Sequence, residues 1–68
     1  MNEEARDQVV ALLTRIGMMA EDLSVIALGA AGVPGQELSR LIDEAQRRVS
    51  EMEMLSEQAA SIIQPDNP

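Results

Sequence analysis

Apolar residues recur at steps of three and four along two stretches of the chain, and this periodicity constrains the fold more than any other feature. The first stripe comprises Val9, Leu12, Leu13, Ile16, Met19, Ala20, Leu23, Ile26, Ala27 and Ala30. The second stripe comprises Leu38, Leu41, Ile42, Ala45, Val49, Met52, Leu55, Ala59, Ile62 and Ile63. This spacing is typical of helices that bury one face. The sequence therefore predicts an all-α protein with two helices of nearly equal length.

The segment between the two stripes, residues 29–35, reads GAAGVPG and predicts a tight connection. Glycine often ends a helix in the left-handed conformation, so Gly29 or Gly32 is expected to end the first helix. Pro34 fits the first position of the second helix, where its missing N–H does no harm. A phosphate-binding loop is not expected, because the segment lacks the Gly-Lys-Ser/Thr ending of such loops.

These signals predict an antiparallel helical hairpin about 40 Å long, at a rise of about 1.5 Å per residue. The expected elements are a hairpin domain over residues 1–63 with a helix over about 3–30, capped by Asn2, a turn over 29–35 and a helix over 34–63, followed by a disordered tail over 64–68. If the chain reverses near Gly32, two residues lie side by side, at the same level of the hairpin, when their residue numbers add up to about 64 or 65. The expected level pairs are Ile26 with Leu38, Leu23 with Ile42, Ala20 with Ala45, Ile16 with Val49, Leu13 with Met52, Val9 with Leu55 and Ala5 with Ala59.

The apolar arc on each helix spans about 140° or more, which is wider than one neighbouring helix covers. A second copy of the chain would cover the remainder, so we predict a homodimeric four-helix bundle. A different protein filling the same place is the alternative. The residues expected at the dimer interface are Leu12, Ile16, Met19, Leu23, Leu41, Met52 and Leu55.

Composition supports the need for a partner. A chain of 68 residues has a small core, and neither cysteine nor histidine is present to supply a disulfide or a zinc site. The net charge of −7, from twelve acidic residues and five arginines, repels nucleic acid and anionic membranes. No apolar run approaches the roughly 20 residues of a membrane span, and the N-terminus is acidic. We therefore expect a cytoplasmic protein without a membrane segment.

The sequence carries little equipment for catalysis. Serine nucleophiles need a neighbouring base, and the chain has neither histidine nor lysine. Adjacent acidic residues such as Glu21 and Asp22 point apart on a helix, so they do not converge on a metal. We predict that the chain is not an enzyme and takes no cofactor, metal or small-molecule substrate.

Four residues are candidates for contact with another protein. Met18 and Val25 lie one heptad apart on the polar side of the first helix, and Met54 faces outward on the second; methionine suits adaptable docking surfaces. Arg48 falls within the apolar arc, roughly level with Gly17, which we expect to make room for it. Arg48 is either an interface anchor or an edge arginine whose stem is buried and whose charge reaches water.

The predicted function is that of a small acidic interaction protein, a dimeric regulator that binds and modulates or inhibits another protein. Small bacterial or phage-encoded regulators, such as antagonists of a host transcription regulator, offer an architectural analogy. A secretion or assembly co-chaperone is an alternative. The expected shape also resembles that of the plasmid copy-number hairpin proteins, which recognise paired RNA loops, although no motif matches. Nucleic-acid binding, or mimicry of DNA by the acidic surface, are therefore further alternatives.

Overall fold

The computed structural model describes residues 1–63, and within them the chain forms two α-helices that pack against each other. Helix α1 spans Glu3–Ala30 and helix α2 spans Gly35–Ile63. The described part contains no strand. This arrangement confirms the predicted all-α hairpin. The predicted tail over residues 64–68 lies outside the described residues.

Asn2 caps the start of α1, as predicted. Its backbone is extended, with φ −80° and ψ 173°, and its side-chain Oδ1 accepts the N–H of Ala5 at 2.7 Å. Its carbonyl oxygen accepts the N–H of Arg6 at 3.0 Å. Glu3 and Glu4 lie in the first turn, where negative charge meets the positive end of the helix dipole. The start of α1 is thus determined by local chemistry.

The end of α1 differs from the predicted glycine cap. Within residues 1–63 no glycine has a positive φ, and the residue that follows the helix, Ala31, is right-handed at φ −65° and ψ −22°. The chain turns instead through bonds of the i to i+3 type. The Gly32 N–H donates to the carbonyl of Gly29 at 3.1 Å, and the Val33 N–H donates to that of Ala30 at 3.4 Å. The expectation of a left-handed glycine is therefore wrong.

Pro34 separates the turn from α2. Proline has no N–H to continue the bonding of the turn, which stops there. Helix α2 begins one residue later, at Gly35, and the carbonyl of Pro34 accepts the N–H of Glu37 at 2.9 Å. Pro34 thus stands immediately before the helix, one place earlier than predicted.

The two helices meet along a line of residues spaced alternately four and three apart, which we call the seam. Its members on α1 are Ala5, Val9, Leu12, Ile16, Met19, Leu23, Ile26 and Ala30; on α2 they are Leu41, Ala45, Arg48, Met52, Leu55, Ala59 and Ile62. All are buried or half-buried. This is the spacing of residues that fill the contact between two coiled helices. Of residues 1–63 only Val9, Leu55 and Ala59 are fully buried, so the core is tightest far from the turn.

The register of the helices differs from the predicted level pairs by about one turn. Two ion pairs join the helices, Arg15 with Glu51 and Arg48 with Asp22, and their residue numbers total 66 and 70. The numbers of two residues at the same level therefore add up to about 68, because the first turn of α2 extends past the end of α1. Leu13 and Val49, which the predicted pairing placed in the contact, lie outside the seam and are 55% and 44% exposed.

Gly17 does not make room for a neighbouring side chain. A Cβ atom built at this residue has no other atom within 4 Å, apart from the backbone of its own turn. The interpretation of Gly17 as space for Arg48 is therefore wrong. The loss of helix stability that this glycine causes is not offset by a close contact in the hairpin.

We expect Gly17→Ala to raise the free energy of unfolding by about 1 kcal/mol, because alanine restricts the unfolded chain and favours the helix. Urea unfolding followed by circular dichroism measures the change. Ala11→Gly, at an exposed position of the same helix, is the reciprocal control and should lower the free energy by a similar amount. A loss of stability in Gly17→Ala would contradict the open space seen at this residue.

Candidate protein-interaction surfaces

The residues on the two sides of the seam differ in chemistry. Seam positions on each helix alternate between two kinds, which Leu12 and Ile16 illustrate. In an antiparallel pair, the residues that directly follow seam positions of the first kind lie on one side of both helices. The residues that directly precede seam positions of the second kind lie on the opposite side. The apolar flank comprises Leu13, Ala20 and Ala27 on α1 and Ile42, Val49 and Ile63 on α2. The charged flank comprises Gln8, Arg15 and Asp22 on α1 and Glu44, Glu51 and Gln58 on α2. The hairpin is therefore a single layer of helices with two unlike sides.

The apolar flank is open to solvent. Its four large members, Leu13, Ile42, Val49 and Ile63, are all exposed. Towards the turn, Ala27 of α1 and Ile42 of α2 line one groove whose other walls are seam residues such as Leu23, Ile26 and Leu41. This shared groove places the two halves of the flank on the same side of the molecule. Large apolar residues grouped in this way mark surfaces that bind other molecules.

The charged flank is bridged by ion pairs. Arg15 Nη2 lies 3.4 Å from Glu51 Oε2, and Arg48 Nε lies 3.7 Å from Asp22 Oδ2. These side chains are substantially exposed, apart from that of Arg48, and such pairs contribute at most about 1 kcal/mol each. Their main effect is on geometry, because they connect the helices on one side of the seam only.

Arg48 occupies a seam position with its charge directed to the charged flank. Two thirds of its side chain is covered; its Nη1 donates to the carbonyl oxygen of Glu44 at 3.2 Å. The carboxylate of Glu44 lies instead 3.9 Å from Arg40 Nη1. The stem of Arg48 thus fills a place in the seam while the guanidinium reaches water beside Asp22, which matches the edge-arginine interpretation.

The other three predicted partner-binding residues also lie towards the charged flank. Met18 borders a shallow depression formed with Arg15, Asp22 and Glu51, and Met54 borders another that includes Glu51. The two methionines therefore stand on either side of the Arg15–Glu51 pair, one on each helix. Val25 lies two turns from Met18 on the same side of α1. We call Met18, Val25 and Met54 the methionine strip; all three are exposed.

The seven residues predicted at a dimer interface all lie in the seam of the single chain. Leu55 is fully buried there, and the other six, Leu12, Ile16, Met19, Leu23, Leu41 and Met52, are half-buried. Of the two apolar stripes predicted from the sequence, the hairpin leaves uncovered Leu38 and the residues of the apolar flank, which sequence reasoning did not separate from the seam. The signal was present in the strict alternation of four and three along α2. That alternation passes through Arg48 and is lost when only apolar residues are counted.

The described residues show neither a metal centre nor a membrane span. Within residues 1–63, no three acidic, histidine or cysteine side chains gather closely enough to hold a metal ion. In the same range neither helix has a stretch apolar and long enough to cross a bilayer. Comparison with known proteins finds no match among protein-family models, curated proteins or solved structures.

We expect Arg48→Ala to lower the free energy of unfolding by about 1–2 kcal/mol, because it leaves a gap in the seam where the arginine stem packs. Arg48→Met keeps an apolar stem of similar length and should restore the stability of the original chain. Asp22→Asn removes only an exposed charge and should change the free energy by less than about 0.5 kcal/mol. Urea unfolding at one fixed protein concentration compares the three. Equal losses in Arg48→Met and Arg48→Ala would show that the charge, not the stem, stabilises the seam.

Proposed function

We propose that this chain is a non-enzymatic interaction protein, a helical hairpin that pairs with a second copy as a four-helix bundle and binds another protein, which it modulates or inhibits. One observation carries the proposal: apart from Met1, Val10, Leu28 and Leu38, the exposed large apolar residues of the hairpin fall on two sides, the apolar flank and the methionine strip. Two separate sides allow the chain to contact a copy of itself and a different partner at once.

The methionine strip suits the different partner. Unbranched methionine side chains adapt to irregular surfaces, and a helix that presents apolar residues one or two turns apart is a common docking element. Around Met18 and Met54, the Arg15–Glu51 pair and Asp22 supply a polar border of the kind that surrounds interface cores. The net charge of −7 favours a partner whose apolar groove has a basic border. A cytoplasmic regulator of bacterial or phage origin, or an assembly co-chaperone, fits this surface.

Nucleic acid is a poorer candidate because most arginines already lie beside acidic residues. Arg6 lies 3.4 Å from Asp7, Arg15 and Arg48 pair across the helices, and Arg40 lies 3.1 Å from Glu37. Residues 1–63 therefore offer no continuous positive surface for phosphates. The same arginines interrupt the acidic surface, which disfavours mimicry of DNA.

Met18→Asp tests the methionine strip. We expect the variant to fold normally, because Met18 contacts mainly solvent, and to lose the partner that the unaltered chain retains from extracts of the cells that encode it. Quantitative mass spectrometry of the retained proteins measures the loss, which should be at least ten-fold. Thr14→Asp, one turn earlier on the outer surface of the same helix, adds the same charge and should retain the partner.

Two results would contradict the proposal. Undiminished partner recovery with Met18→Asp would remove the methionine strip from the binding surface. Loss of helical circular dichroism in Met18→Asp would show that this residue belongs to the packed interior.

A further inference from the structure

The apolar flank is unusual in this acidic chain because its half nearer the turn has no charge. Between Val10 and Val49, the residues on this flank or next to it on the outer side are all uncharged: Val10, Leu13, Gly17, Ala20, Ser24 and Ala27 on α1, and Ser39, Ile42, Gln46 and Val49 on α2. All charged residues of that stretch lie in the seam, on the charged flank or on the outer surfaces. Charge returns on this side at Glu53, which lies about level with Arg15 in the middle of α1, and at Arg6 near the free ends of the helices.

We infer that the apolar flank is the surface on which a second copy of this chain packs. The inference rests on the proposed pairing of two copies and names the surface that performs it. Two chains of net charge −7 repel each other wherever their acidic surfaces approach. The apolar flank, whose half nearer the turn is uncharged, is the side on which two such chains meet with the least repulsion. A basic partner, in contrast, gains no electrostatic attraction there.

The size of the flank also fits a second copy. Helices of 28 and 29 residues are about 42 Å long and about 10 Å across each, so the broad side of the hairpin covers about 850 Å² in projection. A standard protein interface buries about 800 Å² per partner. A second hairpin laid on this side therefore covers the exposed apolar residues and completes a two-layer bundle.

Side-chain sizes on the flank are complementary to a two-fold copy. Ala27 and Ile42 line the same groove, and the same register places Ala20 beside Val49 and Leu13 beside Ser56. Each of these three levels thus carries one bulky and one small residue. A two-fold axis parallel to the helices lays α2 of one copy over α1 of its partner, which brings a bulky residue over a small one at each of these three levels. Such alternation is what interdigitated packing requires.

This inference changes where the copies touch. The seam residues predicted at the interface, such as Leu12 and Met52, pack first within their own chain and lie beneath the contact. The apolar flank makes the contact itself. The methionine strip lies on the opposite side and stays accessible in the dimer.

A matched pair of variants on α2 tests the inference. Ile42 on the apolar flank is 56% exposed and Met54 on the opposite side is 60% exposed. Ile42→Glu and Met54→Glu therefore add the same charge at equally exposed positions of one helix. Sedimentation velocity from 1 to about 500 µM should show dimers for the unaltered chain and for Met54→Glu. Ile42→Glu should raise the dissociation constant at least ten-fold.

The outcomes separate the inference from the proposed function. A chain that is monomeric at every concentration would overturn the pairing itself, and partner binding by the methionine strip would still be measured separately. A dimer that Ile42→Glu leaves intact, or that both variants weaken equally, would overturn the assignment of the apolar flank alone.

A second measurement applies if Ile42→Glu does not fold. The chain has no cysteine, so Ala20→Cys on the apolar flank and Ala11→Cys on the charged side each introduce a single thiol at an exposed position of α1. Alkylation of the Ala20→Cys thiol should slow at least ten-fold as the protein concentration rises to the dimeric range. Alkylation of the Ala11→Cys thiol should stay constant. Equal rates at all concentrations for both thiols would overturn the inference.

Discussion

Two helices joined as a hairpin have one line of contact, and every other feature of this structure depends on how little that line can cover. A helix packed against a single neighbour buries only the residues that face it, spaced alternately four and three apart. Here that line runs from Ala5 to Ala30 and back from Leu41 to Ile62. Among the residues that the structure describes, full burial is reached only at Val9, Leu55 and Ala59. Apolar residues beyond the line remain in water unless another molecule covers them.

The two sides of the contact line then acquire different roles. Ion pairs connect the helices on the charged flank, where Arg48 extends from the seam to Asp22. The other side keeps an uncharged half, towards the turn, in a strongly acidic chain. In the proposed function, this division of charge lets one surface receive an equally acidic copy while the other, with Met18 and Met54, binds a different protein. The proposed function follows from this division and does not require any catalytic group.

The sequence predicts the features that local chemistry determines. The helices follow from apolar periodicity, and the start of α1 follows from the side chain of Asn2, which bonds only three residues away. The turn and the register were not predictable in the same way. Glycine permits a left-handed helix end without requiring one, and the turn instead closes through right-handed residues such as Ala31. A sliding shift of one turn keeps apolar residues opposite each other, so periodicity alone does not choose between registers. The ion pairs of Arg15 with Glu51 and of Arg48 with Asp22 distinguish the registers, because each joins one level of α1 to one level of α2.

The dependence of unfolding on protein concentration tests the central claim most directly. If the hairpin needs a second copy to cover its apolar flank, folding and association are coupled, and the midpoint of thermal unfolding rises with concentration. Circular dichroism melts over a thousand-fold range of concentration should show a rise of several degrees, with the mass of a dimer at the upper end. A cooperative transition at one temperature throughout that range, from a chain of monomeric mass, would contradict the account.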